Sequence, residues 1–258
     1  MDYLHKYSQN PFPDLFWNIP EQKSGTVNVI GGNAQNFRTP VKTAETLLRD
    51  YPIKTVNLVL PDVLKPKLPP LDNLIFLSST DSGSFGSADE LSSAMNAADS
   101  NLLIGDLSKN SITKDAVLSA LSDSATPVII TRDAVDLVAD TITDSLLLHD
   151  NLAFLVSMPQ LQKLFRAVYY PKMLTLTQPF IQVAEALHKF TLSYAVKIVT
   201  MHDGQIIVAV NGNVSSIPLD KTSYTPLTFW LGAPAIKILA MNLFNPNNFE
   251  CATVSSLF

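Results

Sequence analysis

The residues best placed to bind a ligand follow a hydrophobic run near the N-terminus. Residues 25–33 read GTVNVIGGN, so a mostly aliphatic run leads directly into Gly31, Gly32 and Asn33. In open α/β sheets, ligands bind where strands end and helices begin, and a strand that ends in glycines is typical of that position. The spacing departs from the GxGxxG pattern of dinucleotide-binding folds. A tight turn between a strand and a helix is therefore an equally good interpretation.

A carboxylate follows a second hydrophobic run. Asp133 comes two residues after the run 128–131. At the carboxyl end of a strand, such a group is suited to bind a ligand or a metal ion. It is equally suited to cap the helix predicted to begin at Ala134. The sequence leaves both interpretations open.

Side chains that usually build metal sites or nucleophilic triads form no recognisable pattern. No two histidines have metal-ligand spacing, and no GxSxG motif occurs. The single cysteine, Cys251, permits neither an internal disulfide nor a cysteine zinc cluster. We therefore expect no metal site and ordinary structural roles for the cysteine and for the four histidines, which are His5, His149, His188 and His202.

The elements that must position these residues alternate along the chain. Short Val/Ile/Leu runs separated by stretches of helical periodicity predict a mostly parallel sheet covered by helices on both faces. The fold class is therefore a three-layer α/β/α sandwich, with one domain over residues 25–258. Residues 1–24 hold five aromatic side chains and are predicted to form an arm, laid on the body or on a neighbouring subunit. Strands are predicted at 27–30, 55–60, 74–77, 102–104, 128–131 and 152–156, a hairpin over 195–210, and helices at 41–49, 88–98, 113–121, 160–168, 179–192, 234–243 and 249–257.

The amino-acid composition argues against several classes of protein. Hydrophobic residues make up 47% and charged residues only 16%, which excludes a disordered chain. The net charge of −5 without a basic block argues against nucleic-acid binding. The longest apolar stretch, 227–244, contains Gly232, Pro234 and Lys237, so it predicts a buried helix rather than a membrane span. With no apolar signal core at the N-terminus, we expect a cytoplasmic protein. The low share of charged residues together with the aromatic N-terminal arm predicts a homo-oligomer.

Several segments, in order along the chain, resemble the ADP/ATP-dependent NAD(P)H-hydrate dehydratases of the ribokinase-like (carbohydrate kinase) superfamily. The family's Gly-x-Val-x-Val-Ile-Gly-Gly-Ser strand is matched by residues 25–32, with Asn33 at the serine. Its Ile-Gly-Pro-Gly-Leu-Gly strand end is echoed by Ile104-Gly105, and its Pro-Leu-Val-Leu-Asp-Ala-Asp-Ala-Leu segment by residues 127–135. The resemblance covers residues 20–258 and implies the ribokinase-like fold.

The resemblance also assigns the family's working positions to this chain. The substrate-contacting alanine falls on Thr39, the first glycine of Gly-Pro-Gly-Leu-Gly on Gly105, and the histidine of Thr-Pro-His on Met158. The Lys-Gly pair that borders the nucleotide falls on Thr200 and Met201. The Gly-Thr-Gly-Asp anion turn, with its catalytic aspartate, falls on residues 228–231, so that Trp230 and Leu231 take its last two positions.

These replacements bear directly on activity. Family enzymes phosphorylate the hydrate hydroxyl, which requires a base for its proton and donors for the migrating phosphoryl group. Leucine cannot act as a base, so the sequence predicts a non-catalytic binding or assembly module without a cofactor, with Leu231 buried at the start of the penultimate helix. The alternative is an active ADP/ATP-dependent NAD(P)H-hydrate dehydratase or small-molecule kinase whose carboxylate comes from Asp106, Asp133 or Asp136. A third possibility is nucleotide or nicotinamide binding without turnover, through Gly31, Gly32 and Gly105.

Overall fold

The computed structural model describes residues 2–69 and 72–258, which divide into two compact units. The inner unit is Pro20–Thr141, and the terminal unit joins residues up to Ile19 to Ile142–Phe258. The strands are β1 (Leu4–Lys6), β2 (Ser24–Gly31), β3 (Ile53–Pro61), β4 (Leu74–Leu77), β5 (Ser100–Gly105), β6 (Val128–Thr131), β7 (Leu152–Val156), β8 (Lys197–His202), β9 (Gln205–Val210) and β10 (Asn213–Pro218). The α-helices are α1 (Arg38–Asp50), α2 (Ala88–Asn96), α3 (Ser111–Asp123), α4 (Asp133–Ala139), α5 (Asp144–Leu147), α6 (Met158–Ala167), α7 (Phe180–Ser193), α8 (Pro226–Trp230), α9 (Ala233–Phe244) and α10 (Phe249–Leu257).

The inner unit contains five parallel strands in the order β6-β5-β2-β3-β4. Every residue of β2 from Val27 onward is buried, and so is all of β5 and β6. Since successive side chains of a strand point to opposite faces, burial of both sets means that both faces of this sheet are covered. This is the arrangement that the continuous hydrophobic runs predict.

A row of three asparagines crosses the middle of the inner unit. Asn57, Asn28 and Asn101 are paired in register on β3, β2 and β5. Asn57 donates to the side-chain oxygen of Asn28 over 2.9 Å, and Asn28 donates to that of Asn101 over 2.9 Å. The Asn28 amide also donates to the backbone C=O of Ala94. Asn28 and Asn101 are fully buried, so these hydrogen bonds replace the water that the amides lose on folding.

In the terminal unit β7 and β8 are parallel, and β8, β9 and β10 form an antiparallel meander. The N-terminal arm adds β1 to this sheet, parallel to β10, and the ring of Tyr3 stacks on that of His188 with centroids 3.9 Å apart. The arm therefore lies on its own chain, one of its two predicted placements. The predicted hairpin is present, whereas β1 and β10 were not predicted.

The fold class predicted from sequence is confirmed: the chain is α/β with a mostly parallel sheet. The helix predicted at residues 234–243 is present as α9, while the start of the apolar stretch 227–244 belongs to the separate helix α8, which ends at Trp230, with Gly232 between the two helices at φ +79°. Among the helices of residues 2–69 and 72–258, none is long and apolar enough to cross a membrane. The predicted boundaries of the arm and of a single domain stay a prediction.

Candidate functional site

Two glycine turns meet at the carboxyl ends of the inner unit's central strands. Gly31 at the end of β2 pairs with Gly105 at the end of β5, after a shift in register at Ile30. The N–H of Gly32 donates to the C=O of Gly105 over 2.9 Å. A Cβ on Gly31 would collide with that same carbonyl. The close approach of the two strand ends therefore requires glycine at position 31.

Asn33 closes the first of these turns. Its side-chain oxygen accepts the N–H groups of Gln35 and Asn36 at 2.8 and 3.0 Å, and its amide donates to the C=O of Asp106 over 2.7 Å. An asparagine that bonds to the backbone two and three residues ahead stabilises a turn. Its amide also ties this turn to the loop that follows β5.

Asp133 holds the loop after β5 in place. Its Oδ1 accepts the N–H of Asp106 at 3.0 Å, and its Oδ2 accepts the N–H of Leu107 at 3.4 Å. Successive backbone N–H groups of this kind form an anion-binding concavity, and here a carboxylate of the same chain fills it. Asp133 is the first residue of α4, and Arg132 is its N-cap, so Asp133 does not act as the predicted cap. The carboxylate is committed to a backbone contact in this structure.

Asp106 and Arg132 form an ion pair between the ends of β5 and β6. The Arg132 guanidinium lies 3.4 Å from Oδ1 of Asp106, and both side chains are largely buried. Both residues have φ +58°, a conformation that L-residues other than glycine rarely adopt and that costs about 1–3 kcal/mol. Arg132 was missed by sequence reasoning, since an arginine after a strand carries no signal of its backbone conformation.

The remaining predicted residues of the inner unit are Asp136 and Thr39, and both are half-buried. Asp136 lies in the first turn of α4, and Thr39 is the second residue of α1. Its neighbour Pro40 packs against Gly31, because a Cβ on Gly31 would lie 3.1 Å from the proline ring. The structure thus brings Gly31, Gly32, Asn33, Gly105, Asp106 and Asp133 together, with the start of α1 beside them. The described residues of both units include no cluster of three His, Cys, Asp or Glu side chains suited to a metal ion.

The other five predicted residues lie in the terminal unit. Met158 is the first residue of α6 and is buried, behind a capping box formed by Ser157 and Gln160. Thr200 and Met201 are on β8. Thr200 is fully buried, and its hydroxyl has no hydrogen-bond partner among residues 2–69 and 72–258.

Leu231 does not occupy the buried position expected of it, and its neighbour Trp230 is exposed as well. Trp230 is 54% exposed and Leu231 is 52% exposed, whereas Phe229, which also belongs to α8, is 1% exposed. The prediction that Leu231 is buried is therefore wrong. The reason is that residues 226–230 form a helix, in which Leu227, Trp230 and Leu231 share one outward face at i, i+3 and i+4 while Phe229 points inward.

The backbone donors of this segment bond within it. The N–H of Thr228 donates to Oγ1 of Thr225, and that of Phe229 to the C=O of Thr225. The N–H groups of Leu231 and Gly232 donate to the C=O groups of Leu227 and Phe229 over 3.0 and 2.9 Å. Pro226 has no N–H. The segment is a capped helix, and these N–H groups do not point into an open anion-binding turn.

One lysine near this segment has a lowered pKa. Lys237 lies on α9, one turn from its start, with Nζ 5.9 Å from the ring centroid of Phe16. Burial lowers the pKa of the Lys237 ammonium, because desolvation penalises the charged form. It is the first charged residue after α8.

No family model and no curated protein sequence matches this chain. Solved structures do match it. A ribokinase-like superfamily protein from Enterococcus faecalis V583 has a TM-score of 0.65 at 13% identity, covering 98% of this chain and 85% of that one. The ADP/ATP-dependent NAD(P)H-hydrate dehydratase from Bacillus subtilis, co-crystallised with ATP and Mg²⁺, has a TM-score of 0.56 at 14% identity, covering 91% and 77%.

A hydroxyethylthiazole kinase protein from Pyrococcus horikoshii OT3 is also similar, with a TM-score of 0.55 at 11% identity over 94% of this chain and 79% of that chain. At identities this low, a structural match shows a shared arrangement of helices and strands and does not show a shared activity. The fold expected from the resemblance is confirmed, while the predicted loss of catalysis stays a prediction. The chain therefore has the ribokinase-like fold.

Proposed function

We propose that this chain is a ribokinase-like protein that has lost catalysis and acts as a non-catalytic binding or assembly module. The observation that carries the proposal is the capped helix α8 at the position of the family's anion turn. Phosphoryl transfer depends on donors that are already aimed at the migrating group. In residues 225–232 those donors are committed to Thr225, Leu227 and Phe229. ADP or ATP does not fit this arrangement.

The absence of a base supports the same proposal. No Asp, Glu or His occurs between Lys221 and Phe249, so neither α8 nor α9 supplies a carboxylate or an imidazole as a base. Of the carboxylates that would have to replace it, Asp136 lies half-buried in the first turn of α4. Asp133 accepts two backbone N–H groups, and Asp106 pairs with Arg132. Releasing either group for proton transfer would require breaking those contacts.

The competing proposal is an active ADP/ATP-dependent NAD(P)H-hydrate dehydratase or a small-molecule kinase. It is favoured by the retained turns of Gly31 and Gly105 and by the strained pair Asp106 and Arg132, because backbone strain concentrates at ligand-binding sites. Under this proposal the NAD(P)H hydrate or another small molecule would bind at the carboxyl ends of β2, β5 and β6.

Thermal denaturation with nucleotide distinguishes the two proposals. With 5 mM ADP or ATP, a site with a dissociation constant of about 50 μM would raise Tm by about 5–10 °C in a domain of this size. We expect a change within the noise of the measurement, with or without magnesium, because the donors are committed. The Bacillus subtilis dehydratase, measured in parallel, is the positive control. A shift of several degrees that saturates with nucleotide would mean that the nucleotide site survives, and the competing proposal or nucleotide binding without turnover would replace the present one.

Restoring the aspartate tests the segment directly. Because Leu231 is 52% exposed, we expect Leu231→Asp to change the free energy of unfolding by no more than about 1 kcal/mol. We also expect no dehydration of an NAD(P)H hydrate, since a single carboxylate does not restore the missing donors. Urea denaturation and an absorbance assay for the reduced nicotinamide measure the two effects.

Phe229→Asp is the matched control for stability. It places the same carboxylate two residues away at a site only 1% exposed, where an unpaired carboxylate costs several kcal/mol. Equal losses for the two variants would mean that Leu231 is buried in solution. Measurable turnover by Leu231→Asp, or by the unmodified protein, would contradict the loss of catalysis.

A further inference from the structure

Among residues 2–69 and 72–258, strand β4 leaves one edge of the inner unit's sheet without a partner strand. It pairs with β3 alone, in parallel, with Leu58 opposite Leu74 and Leu60 opposite Phe76. The N–H of Leu58 donates to the C=O of Asn73 over 2.9 Å. In a parallel pair, this fixes which residues bond to the neighbour: the odd positions Ile75 and Leu77 face β3. The N–H and C=O groups of Leu74 and Phe76 therefore point away from the sheet.

A cleft of about 620 Å³ runs along this strand. The 3-10 helix Asp62–Lys67 supplies part of its lining and α2 another part, and β4 contributes half-buried apolar side chains at Ile75 and Phe76. One end of the free edge is closed, because Ser78 donates through its N–H and its hydroxyl to the carboxylate of Glu90. The C=O of Ser78 accepts the N–H of Gly86. The edge that remains open is Leu74 to Leu77.

The charges that line the cleft are mostly negative. Asp62, Asp89 and Glu90 contribute three carboxylates against the single ammonium of Lys65, whose Nζ lies 5.6 Å from the ring centroid of Phe76. The hydrogen bonds from Ser78 lower the pKa of Glu90, so that carboxylate is ionised at neutral pH. Asp89 is exposed on the first turn of α2.

We propose that this cleft binds an extended, lysine- or arginine-bearing segment of a partner protein, which adds to β4 as a further strand. The main-chain groups of Leu74 and Phe76 would supply the hydrogen bonds, and alternate side chains of the segment would contact Phe76 and pair with the carboxylates. A second copy presenting the same edge would bring a second set of the same carboxylates, which opposes self-pairing. The proposal does not depend on whether catalysis is lost.

Synthetic peptides test the charge and the strand pairing separately. The probes are the acetylated, amidated hexapeptides KVKVKV, EVEVEV and KVKPKV, titrated into the full chain by isothermal calorimetry. We expect KVKVKV to bind at least about tenfold more tightly than the acidic peptide at low salt, and less tightly as salt rises. We expect KVKPKV to bind at least about tenfold more weakly than KVKVKV, because proline removes an N–H that a strand must donate.

Hydrogen exchange gives the position of binding. In the free protein the amides of Ile75 and Leu77 should be protected, and those of Leu74 and Phe76 should exchange faster. KVKVKV should protect Leu74 and Phe76 and leave the pattern elsewhere unchanged. Asp89→Lys should weaken KVKVKV by at least about fivefold, whereas the matched control Glu45→Lys, on an exposed face of α1, should not.

Three results would overturn the proposal. Equal binding of KVKVKV and KVKPKV would mean that the peptide adheres by charge without strand pairing. Leu74 and Phe76 amides that stay unprotected at saturation would place the peptide elsewhere. Amides that are already protected in a free protein that sediments as a dimer would mean that a second copy occupies the edge.

Discussion

Asn28→Ala is expected to lower the free energy of unfolding by about 3 kcal/mol, as measured by urea denaturation. Alanine removes the acceptor for Asn57 and the donor for Asn101 and for the C=O of Ala94, all at a position without solvent. Each buried polar group left without a partner costs about 1–3 kcal/mol, and the space left by the amide adds to the loss.

Asn213→Ala is the matched control. Asn213 is exposed at the start of β10, so its replacement should change stability by no more than about 0.5 kcal/mol. A double-mutant cycle with Asn101→Ala should give a coupling of about 1 kcal/mol or more, because the two amides share a hydrogen bond. If Asn28→Ala costs no more than the exposed control, the asparagine row does not stabilise the sheet.

The fold was predictable to the extent that local patterns determine it. The runs 128–131 and 152–156 are strands with the predicted bounds, since short Val/Ile/Leu runs between polar segments have few alternatives. Strand β10 reads NVSSIP, and its two serines interrupt the hydrophobic pattern that would predict a strand. It is nevertheless a largely buried strand, paired with β9. Strand β1 is three residues long and is a strand only because β10 lies beside it. Pairing between residues 210 positions apart in the sequence, such as Leu4 and Val214, leaves no local signal.

The candidate site divides in the same way. Its glycine turns were predictable. Glycine has no Cβ, so it is the residue that lets two strand ends approach as closely as Gly31 and Gly105 do. The pairing of Asp106 with Arg132 was not, since it depends on how β5 and β6 come together. The exposure of Leu231 was not predictable either. A leucine in an apolar run is expected to be buried, and only the helical turn before Gly232 directs it outward.

Gly105→Ala is expected to destabilise the protein by about 3 kcal/mol. Gly105 has φ +99°, which alone costs an L-residue about 1 kcal/mol or more. Its new methyl group would also collide with Oδ1 of Asp133, and overpacking of this kind adds about 1–3 kcal/mol. Asp133 has little freedom to move, because both of its carboxylate oxygens accept hydrogen bonds from backbone N–H groups. Chemical denaturation measures the loss.

Two further variants separate strain from collision at Gly105. Gly204 has φ +67° and nothing within 4 Å of an added Cβ, so Gly204→Ala should show the strain alone, about 1 kcal/mol. In an Asp133→Ala background the collision with the carboxylate is removed and the backbone N of Ala134, 3.3 Å from the new Cβ, stays as a contact, so the cost of Gly105→Ala should fall toward that of Gly204→Ala. A loss of about 3 kcal/mol in both backgrounds would mean that Asp133 does not fill the concavity beside Gly105. That carboxylate would then be available to a ligand, as the competing catalytic proposal requires.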